Sequence, residues 1–186
     1  MRSGEKLGDS TLCYLYLKKH NGAPDIDAAL TDRERAEAAV YRAWLEEWLY
    51  FLLIWDQWID NWYLTRETFF GKFIPFWPLR LVIFNFVYRN IASTLYGNGI
   101  TRHSREEILG MIDEGYRTLS VLVGEKGLFD GKPCAVNAYL GGLMVSIMEE
   151  KEISVNSYRE ISKYPNLKKW TEEWAAKYFP ERKIRE

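Results

Sequence analysis

The sequence predicts an all-α protein, and three observations carry the prediction. Two capping boxes, Thr31-Asp32-Arg33-Glu34 and Ser104-Arg105-Glu106-Glu107, each place a hydroxyl at a helix start and a carboxylate three residues on. Apolar residues recur at helical spacing over long stretches, most clearly from Tyr41 to Ile59. Nothing reads as paired strands, and no repeat or low-complexity tract interrupts the pattern.

Asp9-Ser10 precedes Thr11-Leu12-Cys13-Tyr14-Leu15 and reads as a helix start, because such side chains accept the orphan backbone N–H groups there. Asn21-Gly22 closes this short helix in the left-handed way. The Thr31 box launches the longest helical pattern, with Tyr41, Trp44, Leu45, Trp48, Leu52, Trp55, Trp58 and Ile59 in register. From Trp48 to Trp55 the pattern is apolar all round, which predicts a central helix enclosed by other elements. It breaks up between Asn61 and Trp77, where Gly71 and Pro75 punctuate the chain and Pro78 follows. A helix over about 79–95 stops at Gly97-Asn98-Gly99. The Ser104 box opens another, with Ile108, Ile112, Tyr116, Leu119 and Val123 on one face and Gly124 at its end.

Phe129-Asp130-Gly131-Lys132-Pro133 is a turn into a helix that carries Val136, Leu140, Leu143, Met144 and Ile147. Its Gly141-Gly142 pair costs roughly 1 kcal/mol per glycine against alanine. With Ala138 and Ser146, the pair therefore predicts close approach by a neighbouring backbone. A short helix near 155–162 and a last one over 166–178 complete the set.

With 186 residues the chain fits one domain with a substantial core. Its 8 Trp, 12 Tyr and 9 Phe predict bulky packing or a greasy ligand surface. A formal net charge of −1 argues against electrostatic capture of nucleic acid or acidic membranes. The start MRSGEKLGDS has no apolar stretch behind its basic residue, so no signal peptide is expected. No transmembrane segment is expected either, since Arg80, Pro75 and Pro78 interrupt the nearest candidate, Phe73 to Tyr88. Cys13 and Cys134 have neither metal nor redox spacing, and two lone thiols fit a reducing, cytoplasmic setting. With two His and two Cys, no metal site is expected.

Five segments in order resemble the helical domain of the glutathione transferase superfamily, of the metaxin and failed-axon-connections type. They are Asp9-Ser10, LTDRERAEA (Leu30 to Ala38) with LEEWLYF (Leu45 to Phe51), GITRHSREEI (Gly99 to Ile108), FDGKPCAVNAYLGGLM (Phe129 to Met144) and YPNLKKWTEEW (Tyr164 to Trp174). The resemblance implies a glutathione transferase C-terminal-like helical bundle over residues 23–186. It makes residues 1–22 a remnant of the last helix of a thioredoxin-like half that is otherwise largely absent. Two departures stand out. Cys134 and Asn137 occupy places where the family has Ser or Thr and then Asp, so that cap should be poorer by roughly 1 kcal/mol. Trp48 replaces a histidine found in many relatives.

By the same resemblance Asp9 and Ser10 would bind glutathione. A helix N-terminus with a hydroxyl suits a carboxylate and Asp9 suits an ammonium, the two ends of a γ-glutamyl group. Tyr41, Trp44 and Trp48 would line a pocket for a small apolar substrate, although an aromatic stripe at this spacing is more often core. Trp55, Trp58 and Trp62 read the same way, with Asp56 and Asp60 on another, solvated face. Ser104 is a cap and His103 a loop residue, because adjacent side chains point apart and make no nucleophile–base pair. No catalytic set can be assembled. Two functions follow: a glutathione-transferase-like protein for conjugation, isomerisation or ligand carriage that needs the rest of a thioredoxin-like half, or a non-catalytic metaxin-like adaptor for a partner protein or a second copy. The metaxin likeness adds the mitochondrial outer surface as a second location, and Phe69 to Phe86 is a third, lipid-facing candidate with few cations.

Overall fold

The computed structural model describes residues 8–181, and every regular element in that range is helical. The first helix, α1 (Ser10–Asn21), is followed by a loop to Leu30. One long helical run comes next: α2 (Asp32–Trp44), a π-helical turn (Leu45–Leu49), α3 (Tyr50–Trp55) and a second π turn (Asp56–Asp60). After a bend at Asn61 it resumes as α4 (Trp62–Leu64), a third π turn (Thr65–Phe70) and α5 (Gly71–Phe73). The sequence pattern dissolves after Asn61, yet the backbone stays helical to Phe73. Extended residues before Trp77 then make the break, with Pro78 in the first turn of α6 (Trp77–Asn98).

Both capping boxes form as the sequence requires. Thr31 N–H donates to Glu34 at 2.8 Å, and Ser104 N–H donates to Glu107 at 2.7 Å, with the reciprocal bonds in place. The second opens α7 (Arg105–Val123), which ends at Gly124. Left-handed glycines close α1 at Gly22 and α6 at Gly99. The chain finishes with α8 (Ala135–Glu149), α9 (Val155–Ile161) and α10 (Pro165–Tyr178).

The core lies where α7, α8 and α10 meet the long helical run. Leu45, Leu49 and Leu52 interleave with Ile108, Ile112, Tyr116 and Leu119 of α7 and with Leu140, Met144 and Ile147 of α8. Each such side chain contributes about 1.5–3 kcal/mol relative to exposure. Crossing of α7 over the run requires Gly115, because a β-carbon there would sit 2.8 Å from Leu49 Cδ1. Enclosure of the central segment is incomplete, since Tyr50 is 39% exposed.

The start of α8 has a different cap from the one expected. Cys134 makes no side-chain cap bond. Asp27, from the loop after α1, takes the Ala135 N–H at 2.9 Å instead. Nor does Asn137 accept a backbone N–H: its Nδ2 donates to the carbonyls of Leu128 and Lys132 at 3.1 and 3.0 Å. Close approach at Gly141 is real but comes from the indole of Trp174, not from a backbone.

Candidate functional site

Asp9 sits at the α1 N-terminus, where its Oδ1 accepts the Leu12 N–H at 2.9 Å. Ser10 is the first residue of the helix, and both are exposed. The carboxylate intended for a ligand ammonium is thus engaged as a cap. Helix α1 buries none of its residues, and Leu12, Leu15 and Leu17 each stand about half exposed.

Tyr41, Trp44 and Trp48 do come together along one side of the long run, all half-buried against the core. Tyr41 stacks on Phe129 with centroids 5.7 Å apart, and Trp44 stacks on Trp48 at 5.8 Å. The Trp48 ring also packs against the α7 backbone at Gly115. All of these partners belong to the protein itself. Asp9 and Ser10 are on a different element, and neither they nor the stripe line the two grooves described next.

Asp56 is the principal residue that the sequence reading misplaced. It is fully buried, not solvated. Its Oδ2 accepts the Ser157 N–H at 2.7 Å, and its Oδ1 accepts the Asn156 N–H at 3.2 Å. Asn156 Nδ2 and Asn61 Nδ2 each donate to the same Oδ1 at 2.8 Å. Asp56 therefore caps α9 from about 100 residues away, while the adjacent Ser154 hydroxyl accepts from Gln57 Nε2 at 2.8 Å. Burial pushes the Asp56 carboxyl above its ordinary range, opposed by the bonds from Ser157 and Asn156. Asp60, one turn on, holds Arg105 through two bonds of 2.6 and 2.9 Å. A signal existed in the sequence: Asp56 lies four residues after Leu52 and seven after Leu49, on the buried leucine face.

The most exposed apolar surface is the face of α6 with its approach. Phe73, Phe76, Trp77, Val82 and Phe86 are each between 63% and 71% exposed. Only Phe84 and Leu95 of the 22 residues in α6 are buried. A groove of about 550 Å³ shares Val82 with this surface and opens between Trp62 and Arg66 on one side and Leu81, Val82 and Tyr88 on the other. Phe84 lines it, stacked on Trp58 and tilted against Trp62 with centroids 6.2 Å apart in each pair. The Arg66 guanidinium lies 5.1 Å over the Trp62 ring and 2.8 Å from Glu67, which also pairs with Arg80 at 3.3 Å.

A second groove, of about 760 Å³, runs between the start of α8 and the end of α10. Cys134 and Asn137 lie at its α8 end and Trp174, Tyr178 and Phe179 along α10. Burial raises the Cys134 thiol above its ordinary value, so it is no ready nucleophile. Among the described residues no group of three or more His, Cys, Asp or Glu is placed to hold a metal ion. Among them, too, no helix is long and apolar enough to cross a membrane.

Residues 1–63 match the family model described as the glutathione S-transferase N-terminal domain. The matched stretch contains α1, α2, α3 and the intervening π turns, all helical from Ser10 onward apart from the loop over 22–31 and the bend at Asn61. No solved structure matches the chain. The match supports a glutathione S-transferase-like relationship for this all-helical protein.

Proposed function

We propose that this chain is a non-catalytic, metaxin-like helical adaptor that binds a partner protein through the exposed face of α6. On this reading residues 1–22 correspond to the last helix of a thioredoxin-like half, and residues 23–186 to a glutathione transferase C-terminal-like domain. The observation that carries it is the exposed apolar surface of Phe73, Phe76, Trp77, Val82 and Phe86, with the 550 Å³ groove that shares Val82 with it. A contiguous apolar patch of this kind marks an interaction site, and Trp, Phe and Arg are the residues that dominate interface energetics. Protein is favoured over lipid because Glu67 pairs with both Arg66 and Arg80 and so removes cations that an anionic membrane would need.

The test is site-specific photo-crosslinking of the full chain in extracts of its native cells. The crosslinker stands in place of Phe86 or, as a control on another face, Val121, which is 78% exposed. A discrete protein adduct from Phe86 alone, abolished by Phe73→Asp with Phe76→Asp, is expected. An adduct of doubled mass would replace the partner by a second copy, and a lipid adduct would replace it by a membrane. Equal yields from both positions would refute a dedicated face.

The family match favours a second reading, a glutathione-dependent conjugating or isomerising protein, with Asp9 and Ser10 at the γ-glutamyl end and Tyr41, Trp44 and Trp48 at an apolar substrate. The described residues fit this poorly. Asp9 already caps Leu12 and the aromatic stripe is packed on Phe129 and Gly115, so they offer one end of a cleft and no walls.

A further inference from the structure

We propose that the groove between α8 and α10 is a binding site for a small aromatic anion that also carries an O–H or N–H donor. This stands apart from the adaptor reading, because it uses another face of the molecule and none of the residues of α6. At about 760 Å³ the groove is within the range that holds small organic ligands.

Its apolar wall is a run of rings along α10. Trp174 is 6.4 Å from Trp170, 5.0 Å from Tyr178 and 5.6 Å from Phe179, centroid to centroid. Paired glycines on α8 shape the opposite side. Gly141 seats the Trp174 indole, where any β-carbon would collide with it. Gly142 is different: a β-carbon there would meet nothing within 4 Å, yet the residue lines the groove. Glycine in mid-helix is unfavourable by roughly 1 kcal/mol against alanine. Packing gives no reason for it at position 142, whereas a space kept open for a ligand does.

Polar chemistry at the groove selects the ligand. Asn137 is 8% exposed, and its Nδ2 is committed to two carbonyls, which fixes the amide orientation. Its Oδ1 is left as a buried acceptor with no partner, a costly state that a ligand donor would relieve. Three lysines and one glutamate line the groove, an excess of two positive charges in a chain whose net charge is −1. Lys132 is occupied by Glu34 at 2.6 Å. Lys177 lies 5.0 Å over the Tyr178 ring, and Lys126 is 4.0 Å from Asp130 in an exposed pair of little strength. These two cations remain to meet an anion.

The probe is 6-hydroxy-2-naphthoate, an aromatic plate with a hydroxyl at one end and a carboxylate at the other, titrated calorimetrically into the full chain. One saturable site below about 1 mM is expected. Binding should weaken roughly tenfold for 2-naphthoate, which lacks the donor, and for the neutral alcohol 6-hydroxy-2-naphthalenemethanol, which lacks the charge. Gly142→Phe should abolish it by filling the groove. Because that variant adds bulk, Lys126→Gln with Lys177→Gln provides a second test at exposed positions that leave the core intact, with an expected loss of about tenfold. Phe86→Asp, on the other face, should change nothing. The proposal is overturned if no heat is seen, if Gly142→Phe and the lysine variants bind as well as the parent, or if Phe86→Asp removes the binding.

Discussion

Replacing Asp56 by alanine takes the acceptor away from four donors at once. Two of them have other recourse: Asn156 Nδ2 keeps its 2.8 Å bond to Asp60, and Asn61 is half-buried and within reach of water. The backbone N–H groups of Asn156 and Ser157 do not, since both residues are buried. An unsatisfied buried donor costs about 1–3 kcal/mol, so the pair gives about 2–6 kcal/mol. Burial already holds the Asp56 carboxyl above its ordinary range, and removing the charge returns part of that desolvation cost. The expected loss is therefore in the lower half, about 2–4 kcal/mol. Urea denaturation of parent, Asp56→Ala and Asp56→Asn measures it, with Asn intermediate because its amide keeps one acceptor. Amide exchange should rise first in Val155–Ile161, the helix that Asp56 caps. Because burial raises the Asp56 carboxyl, the parent's advantage over Asp56→Ala is fullest at low pH and narrows as pH rises through the folded value. A loss below about 1 kcal/mol with unchanged exchange in α9 would refute the reasoning.

Adjacent glycines should respond oppositely. Gly142→Ala is expected to stabilise by about 1 kcal/mol in thermal or urea melts, since its β-carbon enters open space. Gly141→Ala should destabilise by about 1–3 kcal/mol, because Trp174 must move. Thr31→Ala should cost about 1 kcal/mol through loss of its capping box. The bond from Lys132, with help from Thr31, lowers Glu34 from an ordinary 4.5 to about 2. Stability from Glu34 is present above its unfolded value and is lost as pH falls from about 4.5 towards 2, so Lys132→Met should flatten an acid titration of stability in that window.

Helix ends were legible in the sequence because caps are local chemistry: Thr31, Ser104, Gly22 and Gly99 do what their residue types dictate. Remote caps were not. Asp56 at the start of α9 and Asp27 at the start of α8 act across roughly 100 residues, and no spacing rule connects them. The tryptophans misdirected the reading of Asp56, since the buried face is drawn by Leu45, Leu49 and Leu52 and the more conspicuous rings of Trp58 and Trp62 lie off it. Helix continuity past Asn61 was hidden for a related reason: that segment packs rings on rings around Phe84 and buries little else, so it has no clean apolar stripe. The site residues Tyr41, Trp44 and Trp48 share a face as their spacing requires, but whether a shared face is pocket or core depends on Phe129 and Gly115, which are distant in sequence.

Calorimetric titration of glutathione into the full chain separates the proposed adaptor from a glutathione-dependent protein. The proposed adaptor should give only heats of dilution at millimolar ligand. A saturable one-site isotherm that Asp9→Ala or Ser10→Ala removes would contradict it.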